Sequence, residues 1–366
     1  LDTLFLGTDR NLTVAGKTTL GPDSGVADQA TLTCNNSDVS LGSTKTNGAG
    51  LHVRQGGTFV GGSGTHTIGS IVVDNNDKSK FTNTSGTATI NGHSNDNTRS
   101  ILIAANSVCV AAGTMDLTYG TASNIQCGNV AGINNLTLTG NVTYTQSDSL
   151  LMTGNLTITS GTTLTTGADK ALTVTKQCSV AGTLTCNGST VSVGSGLTNT
   201  LGMLVQTNGT LTGGTGPHTY GTFNADASGT VNVTLTQNTT TINGSYSDGI
   251  AWAMRNGVTF NNGGGDIHFT GSGNQYLYER NNTARTLGDV TVNKSGGNFQ
   301  WYDGGGAHYT MASLTITQGT FDTNESDGAN PRDLTVTGDV NIANGGTLTG
   351  NASAISMNSL TLGESS

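Results

Sequence analysis

The stretch LTCNNSDVSLGS, residues 32–43, decides how this chain folds, because it returns twice. Residues 184–195 read LTCNGSTVSVGS, and residues 348–359 read LTGNASAISMNS. All three copies keep a leucine first, an asparagine fourth and an apolar residue eighth, whereas the cysteine of the first two copies becomes Gly350 in the last. A repeat of this kind predicts a building unit made of a strand, a turn and a second strand.

The similarity continues well beyond this stretch, since residues 32–94 align with residues 184–246 without a gap. GGTFVGGSGTHTIGS at 56–70 meets NGTLTGGTGPHTYGT at 208–222, which pairs His66 with His218. The chain therefore divides into tandem units of about 150–160 residues. We expect the end of a preceding unit at 1–31, full units at 32–183 and 184–347, and the start of a further unit at 348–366. We also expect the natural polypeptide to continue in one or both directions.

Short strands are indicated by apolar-Thr-apolar triplets, often about 16–26 residues apart. Because side chains of a strand alternate between its faces, the apolar residues point inward and the threonine points outward. Glycine and asparagine between the triplets supply the positive φ angles of sharp corners. The pattern predicts an all-β fold, a right-handed parallel β-helix (β-solenoid). An antiparallel β-sandwich array is the alternative, but NG and DG hairpin signals are only scattered. The triplets include Leu136–Leu138, Leu156–Ile158, Leu172–Val174, Val290–Val292, Leu314–Ile316, Leu334–Val336 and Leu360–Leu362.

The composition of the 366 residues suits many strands and tight turns: 55 are glycine, 3 are proline and 10% are charged. The formal net charge is -9 and no run of Lys or Arg occurs, so no nucleic-acid partner is expected. No apolar stretch approaches the ~20 residues of a membrane span. The 5 cysteines cannot all pair and form no CxxC, so they indicate neither a disulfide framework nor a zinc site.

Several phrases carry a resemblance to a known class of proteins: LTITQGTFDTN, DLTVTGDVNIANGGTLTGNASAISMNSLTLG, VTFNNGGGDIHFTGSGNQ and DVTVNKSGG. They resemble the Gly/Thr/Asn-rich β-helix repeats of bacteriophage tail fibres and tailspikes, and of secreted bacterial adhesins and surface filaments. The resemblance covers nearly the whole chain, and it lies in the Gly/Thr/Asn-rich composition and in the spacing of the repeats. It implies a stalk or shaft at an extracellular, cell-surface or virion location, and it assigns no catalytic residue.

Aromatic residues gather in the second unit, where Trp301 and Tyr302 stand side by side. Exposed aromatic faces stack on sugar rings, so this pair is a candidate glycan platform. Aromatic stacks inside the solenoid core are the alternative interpretation.

One loop has the oxygen pattern of a calcium site. In DTNESDGANPRD, residues 322–333, the candidate ligands are Asp322, Asn324, Ser326, Asp327 and Asp333. Calcium loops place oxygens at alternating positions and a glycine at the bend. Here the glycine comes one place late and no glutamate closes the loop, so a plain surface loop is the alternative. No other cofactor is expected.

Catalytic chemistry has weak support in the sequence. The nearest cluster of carboxylates is Asp266, Glu279, Asp289 and Asp303, with Arg280 and Arg285 between them. Glycoside hydrolysis needs two carboxylates facing each other, whereas solvated turn residues explain this cluster equally simply. The duplicated His66 and His218 lack duplicated Ser or carboxylate neighbours, so we interpret them as parts of a repeated corner. No residue is assigned a catalytic role, and we expect no enzyme.

The sequence thus favours a non-enzymatic structural region of an extracellular or virion fibre, filament or adhesin, serving as a stiff β-solenoid shaft. The expected partners are further copies of the chain or neighbours in a fibre, with cell-surface glycans as another candidate. A carbohydrate-binding or carbohydrate-cleaving β-helix is the alternative function. Ice binding through outward threonines is a remote alternative.

Overall fold

The chain forms a parallel β-solenoid of about 13 turns, here called coils. The computed structural model describes residues 2–22, 29–43, 50–94, 98–128, 132–226, 229–255, 257–279, 285–302, 309–325 and 332–363. Over these residues there is no helix, and the sheets are parallel throughout. The predicted all-β parallel solenoid is therefore confirmed. A helix long and apolar enough to cross a bilayer does not occur in the described ranges.

Two compact units divide the chain, Leu1–Thr175 with Gly182–Leu184, and Lys176–Ala181 with Thr185–Ser366. The predicted repeat boundaries are a separate matter and stay predictions. The strands up to Thr175 are β1 (Asp2–Phe5), β2 (Leu12–Val14), β3 (Thr18–Leu20), β4 (Ala30–Thr33), β5 (Val39–Leu41), β6 (Leu51–Val53), β7 (Thr58–Val60), β8 (His66–Ile68), β9 (Ile71–Val73), β10 (Lys80–Thr82), β11 (Thr87–Ile90), β12 (Arg99–Ile103), β13 (Val108–Val110), β14 (Thr114–Leu117), β15 (Ser123–Cys127), β16 (Asn135–Leu138), β17 (Thr143–Gln146), β18 (Leu150–Met152), β19 (Leu156–Ile158), β20 (Thr163–Thr165) and β21 (Leu172–Val174).

The remaining strands include two long ones, β35 and β36, of 17 residues each. They are β22 (Cys178–Val180), β23 (Thr183–Thr185), β24 (Val191–Val193), β25 (Met203–Gln206), β26 (Thr210–Thr212), β27 (His218–Tyr220), β28 (Phe223–Asp226), β29 (Val231–Thr234), β30 (Thr240–Ile242), β31 (Ile250–Met254), β32 (Val258–Asn261), β33 (Ile267–Gly271), β34 (Gln275–Glu279), β35 (Arg285–Trp301), β36 (Tyr309–Glu325), β37 (Leu334–Val336), β38 (Asp339–Ile342), β39 (Gly346–Thr349), β40 (Ile355–Ser356) and β41 (Ser359–Leu362).

Three faces run along the first unit, each a stack of short strands in parallel register. One face stacks β1, β4, β7, β10 and β13. A second stacks β2, β5, β8, β11, β14, β16 and β19. The third stacks β3, β6, β9, β12, β15 and β17, and ends at β20. From β1 to β15, each coil thus gives one strand to each face.

The second unit repeats this arrangement. One face stacks β24, β27, β30 and β33 and continues through the middle of β35 and β36 to β38 and β41. Another stacks β22, β25, β28, β31 and β34 and continues through the ends of β35 and β36 to β39. The two long strands therefore contribute to both faces, and their mutual pairing shifts register between Asn293 and Asn298.

Alternation along each strand builds the core. The triplets at β5, β19 and β21 have buried, partly exposed and buried residues in that order. Leu156 and Ile158 are fully buried, and each pairs with an equally buried residue of β16. One coil cannot cover its own apolar stripe, so the stacked coils within each unit share a core. All 5 cysteines are buried.

The repeated stretch that opens each copy is a turn with one left-handed residue. Asn35, Asn187 and Asn351 have φ angles of 51°, 43° and 47°. In each copy the same backbone bond closes the turn: Ser37, Ser189 and Ser353 donate their N–H to the carbonyl three residues earlier at 2.9 Å. Asparagine tolerates this region better than most residues. The backbone conformation explains why asparagine recurs while the cysteine beside it does not.

A glycine of the next coil sits against this turn in the two full copies. Gly62 and Gly214 have φ angles of +68° and +74°. A Cβ at Gly62 would lie 1.5 Å from the Asn35 carbonyl oxygen, and one at Gly214 would lie 1.6 Å from that of Asn187. Both the backbone angle and the space therefore require glycine.

Candidate functional site

The duplicated histidines lie inside the solenoid. His66 is 0% exposed and His218 is 1% exposed. The His66 ring packs edge-on against Phe59 at a centroid distance of 5.7 Å, and His218 Nδ1 lies 2.8 Å from the Tyr220 hydroxyl. Burial lowers the pKa of each imidazole to about 4, so both rings are neutral at pH 7. These side chains present no titrating group to a substrate at the surface.

Of the two residues predicted as a glycan platform, Trp301 lies in the interior and Tyr302 lies near the surface. Trp301 is 4% exposed and stacks on Tyr309 with centroids 6.1 Å apart. Tyr302 is half-buried and packs edge-on against Tyr278 at 5.0 Å. The structure therefore separates the two rings into different environments, and the platform stays a prediction.

Tyr302 belongs to a cluster of tyrosines at the surface of the second unit. Its ring lies 6.0 Å from that of Tyr276, and its hydroxyl donates to Asp248 Oδ2 at 3.4 Å. Tyr276 Oη accepts a hydrogen bond from Asn274 Nδ2 at 2.9 Å. Tyr278 and Asp248 extend this cluster to the wall of a neighbouring cleft.

The cleft has a volume of about 280 Å³ and lies on the outward face of β25, β28 and β31. Its floor includes Leu204, Asn224 and Ala253, which stand in one column because they are register partners on successive strands. Leu204 is 9% exposed and Ala253 is 4% exposed, although both occupy slots that point away from the core. The floor is therefore apolar at Leu204 and Ala253 and polar at Asn224, which lies between them.

A tight turn forms one wall of the cleft. Tyr246 donates its N–H to the Ile250 carbonyl at 2.7 Å, and Gly249 donates its N–H to the Tyr246 carbonyl at 2.8 Å. Ile250 also donates its N–H to Asp248 Oδ1 at 3.3 Å. These bonds hold the Tyr246 side chain, which is 39% exposed, at the edge of the cleft.

Two charged side chains, those of Asp226 and Arg255, also line the cleft. Arg255 Nη1 lies 3.0 Å from Asp226 Oδ2, and both side chains are about one-third exposed (37% and 32%). A pair this open to water contributes little to stability. Its atoms remain available to hydrogen-bond a ligand.

The candidate calcium loop is described only in part, since Ser326 and Asp327 lie outside the described residues. Asp322 accepts hydrogen bonds from Asn324 N at 3.0 Å, Asn351 Nδ2 at 2.6 Å and Gln300 Nε2 at 3.1 Å. Asp333 Oδ1 accepts from Ala354 N at 2.8 Å. In the described part of the chain, no three His, Cys, Asp or Glu residues are grouped to hold a metal ion. Calcium binding stays a prediction.

The carboxylates considered for catalysis occupy different environments. Glu279 and Arg285 form a buried ion pair, with Nε to Oε2 at 2.9 Å. Burial raises the pKa of Glu279, and the Arg285 guanidinium opposes that shift. Asp266 and Asp289 are exposed and precede the paired residues Ile267 and Val290. Asp303 and Arg280 lie outside the described residues.

The cleft was not predicted above, although the sequence contains a signal of its floor. In MLVQ, residues 203–206, and IAWAM, residues 250–254, apolar residues occupy consecutive positions instead of alternating. In a solenoid strand, an apolar residue in the outward slot indicates that something covers that face. Tyr246 and Asp248 lie in the turn between β30 and β31, and the sequence around them carries no comparable signal.

Comparisons with known proteins identify no relative. A scan against models of protein families, a search of curated proteins and a search of solved structures each found no match to this chain. The functional interpretation therefore depends on the fold and on the geometry above.

Proposed function

We propose that this chain is a structural repeat region of an extracellular or virion fibre, filament or adhesin. In this proposal the β-solenoid is a stiff, non-enzymatic shaft, and further copies or neighbouring fibre proteins are its partners. The observation that carries the proposal is the parallel stacking of strands from successive coils into long faces. In the first unit, seven strands from β2 to β19 stack in sequence.

The duplicated corners support the same function. Positions that recur between residues 32–94 and 184–246 are those that set the backbone, such as Asn35, Gly62 and their counterparts Asn187 and Gly214. The recurring histidines fill the interior. Repetition of corners and core without a repeated reactive site is what selection for length and stiffness would produce.

Localisation and mechanics test the proposal together. Antibodies raised against the chain, used in immunogold electron microscopy of the source cells and their phages, should label filaments or fibres outside the cell. Single-molecule pulling on the purified chain should show cooperative force peaks, because parallel strands must separate together. Labelling confined to the cell interior, or extension without resolvable peaks, would contradict a shaft.

A further inference from the structure

The cleft on the second unit has the chemistry of a sugar site. Its apolar floor of Leu204 and Ala253 adjoins the rings of Tyr246 and Tyr278. The C–H face of a pyranose is apolar, whereas its edge carries hydroxyls. Tyrosines offer such a ring both an apolar face and a polar edge.

The polar groups around the floor match the edge of a sugar. Asn224 Oδ1 is buried and makes no hydrogen bond with a described residue, so it can accept one from a ligand hydroxyl. Asp226 and Asp248 can also accept, and Arg255 can donate. Donors and acceptors therefore converge on one small volume, as in most specific ligand sites.

The charge of the site selects among saccharides. The cleft is lined by two carboxylates, those of Asp226 and Asp248, and by the guanidinium of Arg255. The whole chain also carries a formal net charge of -9. An acidic sugar would meet this negative potential and be repelled, whereas a neutral one would not.

We propose that this cleft binds a neutral oligosaccharide through one of its pyranose rings. The cleft is bounded by Tyr246, Asp248, Tyr278 and the Asp226–Arg255 pair. The ring lies on the Leu204–Ala253 floor between the two tyrosines, and its hydroxyls bond Asn224 and the charged pair. The volume of about 280 Å³ suits about one sugar residue of a longer chain. This site would give a shaft an adhesive patch, although the binding itself does not depend on the shaft function.

The test is direct titration of the purified chain by isothermal calorimetry and saturation-transfer NMR. The probes are hexasaccharides of glucose, mannose, galactose and N-acetylglucosamine, with a galacturonate hexasaccharide as the acidic comparison. At least one neutral probe should bind with a Kd at or below about 1 mM. Tyr246→Ala and Tyr278→Ala should each weaken that binding roughly tenfold or more.

The matched control is Tyr119→Ala, which removes a half-buried tyrosine of the first unit that packs against His93. It should leave binding unchanged. Asn224→Leu is a second variant that keeps the floor apolar, and it should weaken binding roughly threefold to tenfold by removing the amide acceptor. Circular dichroism on each variant shows whether the solenoid is intact.

Three results would overturn the proposal: no binding of any neutral probe, preference for the galacturonate probe, or neutral binding that Tyr246→Ala, Tyr278→Ala and Asn224→Leu all leave unchanged. None of them bears on fibre localisation or on unfolding force. Failure of the sugar site and failure of the shaft are therefore distinguishable.

Discussion

The two full copies of the corner share one backbone but differ in how they treat their histidine. Asn35 with Gly62 in the first unit and Asn187 with Gly214 in the second have the same left-handed angles and the same close approach. Thr84 Oγ1 donates to the Gly64 carbonyl at 2.6 Å, and the counterpart Thr236 Oγ1 donates to the Gly216 carbonyl at 2.5 Å.

The side chains beside the histidines are not the same. Tyr220 gives His218 Nδ1 a hydroxyl at 2.8 Å, whereas Ile68 occupies the equivalent place next to His66. The backbone of Gly61 acts on the His66 ring as that of Gly213 acts on His218, so the difference between the two corners is the Tyr220 hydroxyl. The comparison shows that the corner requires a particular backbone, whereas the histidine is present both with and without a neighbouring tyrosine hydroxyl. Because the two histidines share their burial but not their side-chain partners, we interpret both as residues that fill the interior.

Substitutions that disturb the backbone conformation shared by the two corners should have the largest effect on stability. Gly62→Ala or Gly214→Ala places a Cβ within 1.6 Å of a carbonyl oxygen at a positive φ angle, so the two coils must separate. Each substitution should lower the free energy of unfolding by more than about 4 kcal/mol. Urea denaturation followed by circular dichroism measures the loss.

Gly196→Ala is the matched control for the glycine prediction. Gly196 also has a positive φ, +71°, but a Cβ there would meet nothing within 4 Å. Only backbone strain remains, so the expected loss is about 1–2 kcal/mol. Equal losses at Gly196 and Gly214 would show that the close approach between coils is unimportant.

Acid should weaken both corners by a similar amount. Because the pKa of His66 and His218 is about 4 in the folded chain and 6.5 is the ordinary value, the unfolded chain binds more protons between these limits. Stability is therefore complete above pH 6.5 and falls as the pH drops towards 4, by about 3 kcal/mol per histidine.

The slope of unfolding free energy against pH measures this effect. His66→Leu and His218→Leu should each reduce the slope between pH 4.5 and 6 by about 1.4 kcal/mol per pH unit. Because other acidic groups contribute equally to all variants, the difference from the unmodified chain isolates each imidazole. A slope that neither substitution changes would contradict burial of neutral rings.

The smallest expected effect is a difference in stability between the His66 and His218 variants at neutral pH. His66→Leu takes no partner from a buried side-chain hydroxyl, so stability should change by less than about 1 kcal/mol. His218→Leu takes the partner from the buried Tyr220 hydroxyl and should cost about 1–3 kcal/mol. Adding Tyr220→Phe should recover most of that loss. Thermal unfolding at pH 7.5 ranks the three variants, and identical behaviour of the two histidines would refute the comparison.

The fold could be predicted from the sequence because solenoid formation leaves a local pattern. Apolar-Thr-apolar triplets such as Leu156–Ile158 match the buried and outward slots of single strands. The recurrence of Asn35 as Asn187 and Asn351 marks a backbone angle that few residues adopt. Both signals lie within a few residues of the position that they describe. The length of β35 and β36 could not be predicted, because the Gly and Asn residues within these strands resemble those of turns.

The candidate site was much less predictable. Trp301 and Tyr302 are neighbours in sequence, yet one ring points into the core and the other lies near the surface. Tyr246 and Tyr278 are 32 positions apart and meet at the cleft only because coils stack. A single sequence indicates which residues face inward, but the lateral distance between side chains of different coils depends on the whole corner geometry.

The claim that the repeated residues of this chain are structural is tested most directly by NMR titration of the two histidine rings. With His52, His93, His268 and His308 replaced by glutamine to simplify the spectrum, the imidazoles of His66 and His218 should stay neutral down to a pKa of about 4. Titration of either ring near the ordinary value of 6.5 would place it in water and contradict the structural account.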